Sequence, residues 1–313
     1  MHGNGNRTPS GEGRRARVLV MFPGALGDLI CFAPTLDALA RRHRDAQVEL
    51  MAREELARFA VGRMEVARAH SIDRREVSQL FSGGEPDEDA RRFFGSFQRI
   101  YSFFSADNPV FGAALKKAAR GQTVTFHRFR PAAGGHVAEA YLREIGEEPG
   151  RVEPKLGFFT ADLESATRRL WGLTEAGNFV AIFPGSGSPA KNWPVERFVA
   201  LARRLGKEHR VLFVLGPAEA HLEHGVLGSY PILSGLSLGT VAALARFASA
   251  FIGVDSGVSH LASAAGTPGV VLFGPTDPAR WRPLGRVEVL RRNPIDMIEP
   301  AEVIAALRRL RMV

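Results

Sequence analysis

Along residues 16–145, short runs of consecutive apolar and β-branched residues alternate with longer segments whose apolar positions recur every three to four residues. That alternation predicts strands buried on both faces and joined by amphipathic crossover helices, hence a parallel, doubly wound sheet. RVLVMF at 17–22 reads as the first strand, and residues 28–43 as the helix that follows its loop. Strand-like segments recur near 48, near 70, at 99–104 and at 123–127, with helices at 53–60, near 75, near 88 and over HVAEAYLREIG. Between 146 and 178 the pattern weakens: EEPGRVEPKLGFF carries Pro and Gly, and ADLESATRRLWGL reads as one amphipathic helix.

The pattern then restarts. NFVAIF (178–183), RVLFVLG (210–216), SAFIGV (249–254) and GVVLFG (269–274) read as strands, with helices over PVERFVALARRLG, LGTVAALARFA capped by Ser237, and SGVSHLASAAG. A last helix begins near Pro300, a residue favoured in a first helical turn. The predicted organisation is a polar tail (1–15), a first Rossmann-like domain (16–150), a linker and helix (151–177), a second Rossmann-like domain (178–299) and a terminal helix (300–313). Both units open with a strand, a Gly-containing loop and a helix. Ligands of such sheets bind at the carboxyl ends of the strands, so the cleft between the two units is the expected site.

With 313 residues, 45% hydrophobic and 24% charged, the chain is long enough for two domains of ordinary soluble composition. Its formal charge of +8 favours anionic partners. The arginines are scattered, and neither an RNA-binding signature nor a recognition helix is evident, so nucleic acid is not an expected partner. The single cysteine, Cys31, excludes an intramolecular disulfide and reads as a buried thiol. The apolar stretch after Arg14 and Arg15 is interrupted by Gly24 and Asp28, and no run of about 18 apolar residues occurs, so a cytoplasmic protein without a membrane span is expected.

The chemistry concentrates in the strand-end loops. In PGALGDLI, Gly24 and Gly27 permit a tight turn, and Asp28 opens the helix, either capping free amides or pointing into the cleft as a general base. IFPGSGSPAKNWP offers Gly185 and Gly187 for close backbone approach, the hydroxyls of Ser186 and Ser188, and the Lys191 ammonium, a donor set suited to a diphosphate. It is neither a Walker A loop nor a dinucleotide fingerprint. Glu219, beyond another strand end, could accept hydrogen bonds from a ribose diol or could be a solvated loop acid. GVDSGVSHLASAAG puts Asp255 at a strand end, with Ser256, Gly257 and His260 at the helix start. The DED at 87–89 has the spacing of a metal-binding pair but reads as an acidic helix start. His221 and His224 are three apart and lack an evident third ligand, so no metal is expected.

GALGDLI with APTLDALARR, PGSGSPAKNWPVERFVALARRL, LGPAEA and the long block LSLGTVAALARFASAFIGVDSGVSHLASAAGTPGVVLFGPTDPARW resemble glycosyltransferase family 9, the heptosyltransferases of bacterial lipopolysaccharide assembly. The resemblance covers nearly all of residues 17–45 and 178–285. It implies a GT-B fold, two Rossmann-like domains facing across a cleft, and an inverting, metal-independent transfer from a nucleotide-sugar donor such as ADP-heptose to an anionic glycolipid or oligosaccharide acceptor. It implies no cofactor. On this resemblance Asp28 is the catalytic base, Ser186, Gly187, Ser188 and Lys191 form the diphosphate loop, and Glu219 lies near the ribose. Asp255, Ser256, Gly257 and His260 meet the donor phosphates and sugar, and the last helix returns toward the first domain. Little matches over 82–175, and IYSFFSADNPVF stands where the family carries a more acidic strand end. The basic charge also fits a peripheral enzyme at the inner leaflet of the cytoplasmic membrane. Two rivals stay open from sequence: a sugar-nucleotide epimerase or hydrolase, and a non-catalytic nucleotide-sugar-binding protein.

Overall fold

The computed structural model describes residues 15–310 apart from 133, 151, 223, 224 and 226. The expected tail, the end of the last helix and His224 therefore lie largely or wholly outside the described residues. The first sheet is formed by β1 (Ala16–Met21), β2 (Ala46–Ala52), β3 (Arg68–Ser71), β4 (Arg99–Ser102) and β5 (Thr123–Phe126), all parallel in the order β3-β2-β1-β4-β5. Its helices are α1 (Leu26–Arg42), α2 (Glu54–Ala60), α3 (Arg75–Ser78), α4 (Glu88–Phe94), α5 (Pro109–Ala118) and α6 (Val137–Glu144). After α7 (Thr160–Leu170), the second sheet has the order β11-β10-β9-β6-β7-β8, again all parallel. It consists of β6 (Phe179–Phe183), β7 (Arg210–Val214), β8 (Ile232–Leu233), β9 (Ala250–Val254), β10 (Gly269–Phe273) and β11 (Val287–Arg291). Its helices are α8 (Val195–Leu205), α9 (Leu238–Phe247), α10 (Gly257–Ala264), α11 (Pro278–Trp281) and α12 (Pro300–Arg309).

Strand alternation sorts the apolar residues into three cores. On β1, Leu19 and Met21 face an outer layer with Phe94, Phe97 and Phe111, while Val18 and Val20 face inward. On β6, Val180 and Ile182 face the other outer layer, while Phe179, Ala181 and Phe183 face inward. The inward faces share one continuous core that runs through α1 and α10, from Leu29 and Phe32 to Leu261 and Ala262. The two domains thus meet through packed helices.

One expectation fails here. The last helix does not return toward the first domain: Val303, Ala306 and Leu307 of α12 lie in the outer core of the second, with Phe198, Leu201 and Leu272. Its apolar face finds a complete partner surface there, and nothing drives a crossing. The return contact is made by the linker instead. The Gly157 amide donates to the Arg63 carbonyl at 2.9 Å, and Arg63 pairs with Asp162 on α7, which packs against the start of α9. Four elements escaped the sequence reading: α5, β8, β11 and the one-turn helix α11. The first carries Asn108 as its cap and Pro109 in its first turn, while β8 and β11 are short edge strands.

Candidate functional site

The amino termini of α1 and α10 face each other across the domain junction, at the carboxyl ends of β1 and β9. Two glycines make this approach fit. A methyl group at Gly257 would lie 2.9 Å from Leu26 Cβ and 3.0 Å from the Gly27 amide, and one at Gly27 would lie 3.1 Å from the His260 ring. Gly24 serves the same loop, since a Cβ there would stand 2.6 Å from that of Asp28.

Asp28 is the third residue of α1 and not its cap, because the helix begins two residues earlier than the pattern predicted. Its Oδ2 still serves the helix start, accepting from the Ala25 amide at 3.1 Å. The carboxylate is only 5% exposed and takes two further hydrogen bonds from one residue: Arg130 Nε donates to Oδ1 at 2.9 Å and Nη2 to Oδ2 at 2.8 Å. Sequence reasoning missed Arg130, which sits in HRFRP looking like an ordinary loop cation. Its backbone is left-handed, φ 51°, and its guanidinium lies over the rings of Phe129 and, from the other domain, Trp281. The Asp28 bonds hold its proton tighter than usual for arginine.

On the second domain, Lys191 Nζ lies 2.7 Å from Asp255 Oδ2, and the Thr276 hydroxyl donates to the same oxygen. Asp255 closes β9 and is 7% exposed. Ser256 caps α10, with its hydroxyl 3.3 Å from that of Ser259. His260 is brought to the cavity wall but is 4% exposed, with Nδ1 3.4 Å from Cys31 Sγ. Burial holds its pKa down, at about 4, so the ring is neutral near pH 7. Burial likewise pushes the Cys31 thiol far up, and the sequence-based view of an unreactive buried thiol fits this.

These groups enclose a cavity of about 420 Å³, bounded by Asp28, Arg130, Ser188, Lys191, Asp255 and Trp281. A second cavity of about 410 Å³ adjoins it, sharing Ala25, Gly27, Gly187, Ser256 and Gly257. Its far wall is apolar, with Phe183, Val214, Leu236 and Val241, and Glu219 stands at one side. Glu219 Oε2 accepts from the Gly216 amide at 3.0 Å, and its carboxylate occupies the space that any side chain at Gly185 would need. Ser186 also lines the second cavity, while its hydroxyl lies 2.8 Å from the Ser188 carbonyl and 2.7 Å from Asn192 Oδ1 and so closes its own loop.

The other motifs resolve as local structure. Asp87 caps α4, accepting from Ala90 at 2.9 Å, and Asp89 pairs with Arg92. His221 Nδ1 lies 3.1 Å from the Ala218 carbonyl, while its expected companion His224 is outside the described residues. Among the described residues, no group of three His, Cys, Asp or Glu is arranged to hold a metal ion, and no helix is long and apolar enough to cross a membrane.

A family model for glycosyltransferase family 9 (heptosyltransferase) matches residues 150–299. The chain is 25% identical over 301 residues to lipopolysaccharide heptosyltransferase 1 of Pseudomonas aeruginosa, spanning 87% of this chain and 82% of that protein. Among solved structures, a glycosyl transferase family 9 protein of Veillonella parvula superposes with a TM-score of 0.80 at 20% identity, covering 94% of this chain and 97% of that one. The ADP-heptose heptosyltransferase II of Escherichia coli superposes at 0.73 with 21% identity, covering 94% and 98%.

Proposed function

We propose, on the premise that this chain belongs to glycosyltransferase family 9, that it is an inverting transferase moving a heptose from a nucleoside-diphosphate donor to a hydroxyl of a lipopolysaccharide-type glycolipid or oligosaccharide acceptor. The observation that carries this reading is the pair of joined cavities: an apolar one sized for a nucleobase, opening into a charged one that ends at Asp28. A nucleotide laid across them has its base among Val214, Leu236 and Val241, its ribose beside Glu219, and its diphosphate at Ser188, Lys191 and the amides that start α10.

The anomeric carbon then faces α1. The acceptor oxygen attacks it from the side opposite the nucleotide, and Asp28 takes the hydroxyl proton as the new carbon–oxygen bond forms. The old bond breaks toward the diphosphate, whose growing charge meets Lys191 and the helix-start amides, a preorganised set of donors. Asp255 and Thr276 lie beside this path, where sugar hydroxyls need partners. The net charge of +8 favours an acidic glycolipid presented at the inner membrane leaflet.

Calorimetric titration with ADP-, UDP-, GDP- and CMP-sugars in the presence of a chelator tests the donor. Saturable binding of one class, lost in Lys191→Ala, is expected. Silence across the panel overturns the donor site in its metal-free form, and turnover of the donor without an acceptor moves the reading to an epimerase or hydrolase.

A further inference from the structure

Both cations of the charged cavity are already paired with a carboxylate. Arg130 holds Asp28 through two bonds at 2.9 and 2.8 Å, and Lys191 holds Asp255 at 2.7 Å. Each acid is almost fully buried, and each cation is partly open to the cavity, with side-chain exposures of 51% for Arg130 and 31% for Lys191. The two pairs come from different domains and line one space.

In this arrangement most of the acceptor capacity of Asp28 is already taken. Oδ2 already accepts from the Ala25 amide and from Arg130, and Oδ1 accepts from Arg130. An ionised carboxylate has about four acceptor positions, so a single one stays open, on Oδ1. Arg130 lines the same cavity as Asp28 and holds both of its oxygens. Arg130 is also the one member of the pair able to leave: its charge sits on a long, half-exposed side chain between Phe129 and Trp281, whereas Asp28 is fixed in the first turn of α1.

We infer that the two ion pairs are counter-ion placeholders for the donor diphosphate, and that Arg130 is a positioning residue which exchanges Asp28 for a diphosphate oxygen when the donor binds. The exchange unmasks Asp28 for the acceptor hydroxyl and Asp255 for the transferred sugar, so the base becomes accessible once donor is in place. This rests on the diphosphate-donor reading above. No bond is made or broken in the exchange. Two charge-assisted pairs within the protein are replaced by two between protein and ligand, and the buried acids are turned to the incoming hydroxyls.

Two double-substitution cycles on the full chain test it, with ADP and inorganic pyrophosphate as probes in calorimetry at neutral pH and fixed salt. Asp28→Asn keeps the side chain's shape and its acceptor for the Ala25 amide but drops the charge that holds Arg130. It is expected to tighten both probes by about tenfold, the size of a typical coupling between charges in contact. Merely removing a negative charge near an anion also tightens binding, so the decisive comparison is the same substitution in an Arg130→Met background, where most of the gain should vanish. Asp255→Asn with Lys191→Met provides an independent cycle should either Asp28 variant melt early. Equal gains in both backgrounds, or no gain from Asp28→Asn, overturn the exchange while leaving the donor site standing. Failure of the unsubstituted protein to bind either probe overturns the donor reading itself, and this inference with it.

Discussion

Acid should loosen this protein through His260 before it protonates the carboxylates. The ring is buried where α10 meets α1, faced by Cys31, Asp28, Asp255, Lys191 and His136, and burial holds its pKa at about 4 against an ordinary value of 6.5. Between those two values the unfolded chain binds a proton that the folded chain refuses, so stability rises with pH through this window and falls as the solution is acidified. At pH 4 the cost of keeping the ring neutral, or half neutral, amounts to about 3 kcal/mol relative to neutral pH, from a shift of 2.5 units at 1.36 kcal/mol each with half the sites charged. His43, His127 and His136 are also held below the ordinary range by burial and act in the same direction, so the total curve is not diagnostic. The difference between the native protein and His260→Gln is. Urea unfolding across pH 4 to 7 should show the two stabilities converging as the pH falls, with the variant's deficit shrinking by about 3 kcal/mol, or a relative shift of about 6 °C in thermal melts. Parallel curves would refute the reasoning, because a ring that titrates freely in the fold contributes no such slope.

Three further outcomes follow from the same geometry. Lys191→Met should weaken nucleoside-diphosphate binding by about 2 kcal/mol, the scale of a hydrogen bond to a charged group, as read by calorimetry; unchanged affinity would remove Lys191 from the donor site. Gly257→Ala places a methyl 2.9 Å from Leu26 Cβ and 3.0 Å from a backbone nitrogen that cannot yield alone, so the domain junction should lose about 2 kcal/mol, seen as a lower melting temperature and weaker donor binding; a melt and affinity like the parent's would mean the helix starts do not approach this closely. Glu49, fully enclosed, is desolvated but receives Arg17 at 2.6 and 2.8 Å and His70 at 2.6 Å, which together hold its pKa down to about 2. Its contribution is complete above pH 4.5 and lost as the pH falls toward 2, so Glu49→Gln should cost about 3 kcal/mol at neutral pH and flatten the acid limb of the stability profile.

The half of the cavity proposed to take the donor was partly legible because its chemistry is local. A strand end, a glycine-containing loop and a helix start are contiguous in sequence, so Ser188 with Lys191, and Asp255 with Ser256, could each be grouped from spacing, while joining the two groups took the family resemblance. What spacing could not give is side-chain direction: Ser186 has the same loop context as Ser188, yet its hydroxyl turns into the loop. Arg130 was invisible for a different reason. It reaches Asp28 from 102 residues away, on a segment with neither helical nor strand periodicity, and only the parallel order β1-β4-β5 brings the loop after β5 over the start of α1. Trp281 and His136 share that origin. They belong to the seam where the loop after β10 meets the loop after β5, with His136 Nε2 2.7 Å from the Arg282 carbonyl and Arg280 donating to the Pro131 carbonyl. No signal within either segment announces a contact between them. The terminal helix was misplaced because an amphipathic pattern states that a face is buried, not against which domain.

The seam also answers why an acid stands in an apolar helix start. Two helices point their amino termini at one another, each carrying a partial positive charge, and Lys191 and Arg130 add two full ones. Closing such a junction without anions would set four positive poles against each other in a space partly shielded from water. Asp28 and Asp255, one per domain, supply the opposing charge. A diphosphate brings charge of the same sign and similar size, so the closed arrangement is electrostatically acceptable both without the donor and with it, provided the cations can change partners. Removing either acid alone would leave a cation facing a helix start, and the protein's most direct relief would be to bind an anion more tightly. The carboxylates that carry the proposed chemistry are therefore the same ones that let the two domains meet, and the site's reactivity and the fold's closure cannot be tuned independently.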